Sequence, residues 1–104
     1  MPKPAILTVA AEEDVADQAG WIAAASPEAA ARFIDAVAET IRFAAERPMA
    51  GVRYAVKAPS LRGLRKLQIT GFENRLLFYL ERDDSLLIVR ILHGARDLPL
   101  ALSD

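Results

Sequence analysis

His93 is the only histidine in the 104 residues, and the chain has no cysteine. An imidazole with an unperturbed pKa of about 6.5 suits proton transfer. His93, however, ends an apolar run just before Gly94, a place where a ring nitrogen commonly caps a backbone group, and that structural role is the one expected. One histidine without cysteine cannot seed a zinc site, and thiolate nucleophiles and disulfides are excluded together. There is no glycine-rich phosphate loop. Asp83-Asp84 lies between two apolar runs and reads as a hairpin turn rather than a metal pair. Asp14 and Asp17 share one side of a first helix, where complementing the helix dipole accounts for them. No cofactor or metal is expected.

What stands out instead is the distribution of charge. The net charge is −1, which argues against a nucleic-acid binder driven by bulk electrostatics, and no direct sequence-specific nucleic-acid binding is expected. Residues 1–51 sum to −4, and residues 76–104 to −2. Between them Arg53, Lys57, Arg62, Arg65, Lys66 and Arg75 stand against Glu73 alone, a sum of +5. Such a middle is a candidate face for an acidic partner, with a solvated loop and strand edge as the plainer alternative. Trp21 lies roughly 120° from Val15 around the first helix, off its apolar stripe. It is expected to pack at the edge of a helical hairpin, with a partner-facing anchor as the alternative.

The elements that must position these residues belong to a single domain, 1–104, without repeats or a domain linker. Hydrophobic residues make up 53% and charged ones 26%, a globular composition. No stretch reaches the ~20 apolar residues of a membrane span. Met1-Pro2-Lys3-Pro4 lacks the apolar run of a signal peptide, so the expected location is cytoplasmic, with no membrane partner. Ala5–Val9 predicts a first strand. Ala11, Val15, Ala19 and Ile22 predict a helix, and after a three-residue gap Ser26-Pro27 opens a second, as N-cap and first helical residue. In this helix Phe33, Ile34, Val37 and Ile41 are expected to face a sheet, and Pro48 and Gly51 end it. A long connection over 48–62 leads to strands at 64–69, 75–81 and 86–93, an antiparallel meander. The fold class is α+β, in the order β-α-α-β-β-β, with a helical hairpin on a small antiparallel sheet.

Several of these pieces together resemble the ParE/RelE toxins of bacterial type II toxin–antitoxin systems. They are Ala11 with Asp14-Val15, Ser26-Pro27-Glu28-Ala29, Pro48-x-x-Gly51, Leu61-Arg62-Gly63-Leu64-Arg65 and Phe78-Tyr79. Most specific is the strand Ile88–His93 running into Gly94-Ala95-Arg96-Asp97-Leu98. The resemblance spans about residues 5–98. It departs at Val9-Ala10, where a Pro or Ser-containing helix start is usual, at Gln18, where an apolar residue is common, and at Trp21, which replaces an aromatic that is often Tyr.

The resemblance implies one of two activities. RelE-like relatives cleave messenger RNA in the ribosome. In-line attack by a 2′-hydroxyl needs a base, an acid, and cations on the developing phosphorane charge. Arg65, Lys66, Arg90, His93 and Arg96 can be cast in those roles. The ending His93-Gly94-x-Arg96-Asp97, with no Tyr or Glu after it, is similar instead to the ParE branch, which lacks the nuclease constellation. That branch implies a non-enzymatic poison of DNA gyrase, active in plasmid stabilization and silenced by a ParD-like antitoxin. A degenerate member that binds antitoxin and poisons nothing is the remaining alternative. The expected partner-binding residues are Arg53, Lys57, Arg62, Arg65, Lys66, Arg90, Arg96 and Trp21. The exposed edge of the meander is a further landing site.

Overall fold

The computed structural model describes residues 2–94. Arg96 and Asp97, named above, lie outside the described residues. The chain starts with strand β1 (Ala5–Leu7) and helix α1 (Val9–Ala25). The strand is shorter than expected, because Thr8 is a helix cap. Its backbone is extended and its Oγ1 accepts the Ala11 N–H at 3.0 Å, which satisfies a free donor of the first turn. Val9 is therefore helical despite its β-branched side chain.

Helix α2 (Pro27–Glu46) follows after Ser26 alone, not after three residues. Ser26 serves both helices. Its N–H donates to the Ile22 carbonyl, closing α1, and its Oγ accepts the Ala29 N–H, opening α2. The α2 stripe is turned slightly from the expected one. Ala30, Phe33, Ala36, Val37, Thr40 and Ala44 are buried and Ile41 packs against them. Ile34 is 49% exposed, which corrects its placement toward the sheet. It sits about 100° around the helix from Phe33, and the small Ala36 takes the other flank.

The remaining strands are β2 (Val52–Arg53), β3 (Arg65–Ile69), β4 (Phe72–Glu81) and β5 (Leu86–His93), with a 3-10 turn at Pro59–Leu61. The sheet order is β1-β5-β4-β3-β2. From β2 to β5 all neighbours are antiparallel, so the meander stands as read. β1, however, lies parallel to β5, so the sheet is mixed rather than wholly antiparallel. The helices carry the chain across the sheet to its far edge, and the meander then works back until β5 runs alongside β1. β4 starts at Phe72, three residues early, because the Thr70-Gly71 turn is tight and Gly71 supplies its φ of +81°.

The helices cover one face, where Phe33, Val37, Ile69, Leu77, Tyr79, Ile88 and Ile91 form the main core. On the other face the connection through residues 54–64 folds back over Phe78, Leu80 and Leu92. That second, smaller core turns an otherwise solvated sheet face into a platform for the basic residues.

Candidate functional site

The structure sorts the expected cations by what they already hold. Arg65 donates to the carbonyls of Gly51 at 2.7 Å and Met49 at 3.4 Å. Next to it, the Tyr79 hydroxyl accepts the Gly51 N–H and donates to the Pro48 carbonyl, each at 2.8 Å. These two side chains bolt the turn after α2 to the sheet. A Cβ on Gly51 would come within 2.5 Å of the Tyr79 hydroxyl oxygen, so only glycine fits.

Burial raises the Tyr79 pKa above its ordinary 10.0; the Gly51 hydrogen bond and Arg65 oppose this, and Glu81 adds to it. A phenol so held is no general base near neutrality. Its un-ionised form stabilises the fold fully below pH 10.0, and the contribution is lost as pH rises through the folded-state pKa. Tyr79→Phe is expected to cost about 1–3 kcal/mol, since it leaves the buried Gly51 N–H without an acceptor. Denaturant unfolding measures the loss, and the same variant should show a shallower alkaline loss of stability than the parent protein.

Lys66 places its Nζ over the Tyr54 ring, 5.2 Å from the centroid, and that ring meets Phe78 edge-on at 5.3 Å. Arg90 is bound to α1. Its Nε and Nη2 donate to the two Asp14 carboxylate oxygens at 2.7 and 2.8 Å. Asp14 also accepts the Ile91 N–H at 3.0 Å. Arg53, Lys57 and Arg62 are different: all three are exposed, and no ion pair among the described residues includes them. They rim a hollow of about 310 Å³ whose floor includes Tyr54, Val56 and Leu61.

Trp21 is not part of this group. It lies on α1, across the sheet from the hollow, and is 73% exposed, so the expected packing at the hairpin edge does not occur. Nor does His93 approach Arg65 and Lys66. It pairs with Arg75 on β4, whereas Lys66 pairs with Phe78. That is a separation of about 10 Å along β4 and about 10 Å across two strand spacings. With Arg90 held by Asp14, these four side chains do not converge on one phosphate.

The functional reading of the sequence missed the β5 edge. Beyond β1, helix α1 closes it: Thr8 Oγ1 donates to the Val89 carbonyl at 2.8 Å, Asp14 accepts from Ile91, and Gln18 Nε2 donates to the Ile91 carbonyl at 2.7 Å. This edge of the meander is therefore closed. The signal was two polar residues, Asp14 and Gln18, one turn apart on the same face as Ala11, Val15 and Ile22.

Residues 5–98 match the family described as the ParE toxin of the type II toxin–antitoxin system, parDE. Among solved structures the chain is similar to one from the chromosomal ParDE TA system of P. aeruginosa. The TM-score is 0.69 at 16% identity, covering 88% of this chain and 95% of that one, a likeness of fold. No curated protein sequence matches significantly.

Proposed function

Since the chain belongs to the ParE toxin family of type II toxin–antitoxin systems, we propose that it acts by binding rather than by bond chemistry. Its target is DNA gyrase, trapped with its DNA cut, and a cognate ParD-like antitoxin silences it in the cytoplasm. The observation that carries this reading is the dispersal of the candidate nuclease residues. His93 stands apart from Arg65 and Lys66, and Arg90 is committed to Asp14. Arg53, Lys57 and Arg62, exposed and outside the ion pairs of the described residues, gather instead around a hollow, an arrangement suited to gripping an acidic partner.

The test is supercoiling and DNA cleavage by purified gyrase with the protein added, beside cleavage of messenger on translating ribosomes. Cleaved DNA should accumulate, supercoiling should stall, and antitoxin should relieve both. Intact gyrase activity with cut messenger would overturn the proposal. His93→Gln should leave growth inhibition within about threefold, because no proton transfer depends on the ring. Loss of toxicity in a folded His93→Gln protein would restore the nuclease reading.

A further inference from the structure

The sheet has two edges, and they are treated differently. The β5 side is closed, first by β1 and then by Thr8, the cap of α1, with Asp14 and Gln18 of the helix. At the other end β2 is the last strand in the order, only two residues long, with Val52 and Arg53 both exposed. The hollow rimmed by Arg53, Lys57 and Arg62 begins at this strand. An edge strand with unpaired backbone groups accepts an extended segment, and the adjoining cations state what charge it should carry.

We propose that β2 and the adjoining hollow form one docking site for an extended acidic protein segment. Backbone hydrogen bonds form at Arg53, whose N–H and carbonyl point away from β3, and a carboxylate is held among Arg53, Lys57 and Arg62. A neighbouring apolar side chain of the segment rests on Tyr54, Val56 and Leu61. The choice of a peptide over nucleic acid rests on two features. Arg53, Lys57 and Arg62 ring a concavity rather than track a backbone, and residues 1–51, which include the helices, are net acidic, repelling a polyphosphate. The one aromatic ring in the hollow is also committed, with Lys66 over its face and Phe78 at its edge, so it makes a poor stacking platform for bases. The proposal rests on the toxin reading only for the identity of the partner, whose natural source is the antitoxin.

The test uses the full chain, isotopically labelled for NMR, and a short blocked peptide alternating glutamate and leucine. Amide resonances of residues 52–64 should shift saturably while those of α1 and α2 stay put. Replacing the glutamates by glutamine should weaken binding about tenfold or more, and raising the salt should weaken the acidic peptide alone. Lys57→Glu combined with Arg62→Glu should abolish the shifts with the rest of the spectrum unchanged, which shows an intact fold. N-methylating alternate backbone amides of the peptide should weaken binding of the glutamate and glutamine forms alike, because an added strand needs those amides to reach the outward carbonyl of Arg53.

Shifts centred on the helical hairpin, or an affinity indifferent to salt and charge reversal, would overturn the proposal. So would oligothymidylate saturating the same resonances as tightly as the peptide, which would make this a nucleic-acid surface. Gyrase poisoning is scored in a separate assay without peptide, so either reading can fail while the other stands.

Discussion

Replacing Phe33 with alanine is expected to destabilise the protein by about 3–5 kcal/mol, while Ile34→Ala beside it costs less than about 1 kcal/mol. Phe33 is wholly buried. Its ring meets Phe72 edge-on at 5.3 Å and 75°, and the Arg75 guanidinium lies over it at 5.5 Å. Truncation removes the area burial, the aromatic pair and the cation–π contact together, and leaves a cavity between α2 and the start of β4. A domain of this size has a total stability of about 5–15 kcal/mol, so the variant should populate unfolded chain near physiological temperature. Urea unfolding of the two neighbours is the check, with Phe33→Leu expected to fall between them. Equal costs at 33 and 34 would mean that the helix presents a different face.

Those adjacent residues also show where reading the sequence succeeds and where it stops. Periodicity identified α2 and most of its buried face, because a stripe of large apolar side chains has one sensible direction to point. It placed Ile34 wrongly: Ile34 lies about 100° around the helix from Phe33 and Ala36 about 60° on the other side, so the buried arc takes the smaller side chain and leaves Ile34 at its margin. The last three strands were legible from their apolar runs and turns, and Gly71 marked one turn. β2 was not legible: two exposed residues inside a long connection carry no alternation to detect. The parallel placement of β1 is a consequence of topology that no local pattern encodes.

The cations divide in the same way. Composition marks Arg53, Lys57, Arg62, Arg65, Lys66 and Arg90 as a group, but it cannot tell a charge that holds the protein together from one left for a partner. Arg65 ties down the turn after α2, Lys66 covers Tyr54, and Arg90 reaches a helix 76 residues earlier in the chain. Only Arg53, Lys57 and Arg62 retain the arrangement that an acidic partner requires. A charge pattern thus located the surface, and the hydrogen bonds decided which members belong to it.

Asp14→Ala is expected to cost about 2–4 kcal/mol, against well under 1 kcal/mol for an exposed ion pair. Two things raise it above the surface value. The carboxylate and guanidinium side chains are only 13% and 28% exposed, so solvent screens them incompletely. The same carboxylate also accepts the Ile91 N–H, so the truncation strips Arg90 of its fork and a β5 amide of its acceptor at once. Residual exposure holds the estimate below that for a fully buried pair. Arg90→Lys should recover little, because one ammonium cannot reproduce the two parallel bonds to Asp14. A double-mutant cycle of Asp14→Ala and Arg90→Ala in urea should return a coupling of about 1–3 kcal/mol, only weakly reduced by salt. The cycle also decides what Arg90 is for. A stabilising residue lowers the unfolding midpoint of the isolated chain when it is removed, yet leaves the affinity of the folded molecules for an acidic peptide within about twofold. Unchanged stability with lost affinity would instead return Arg90 to the partner-binding surface and remove Asp14 as the reason for its position.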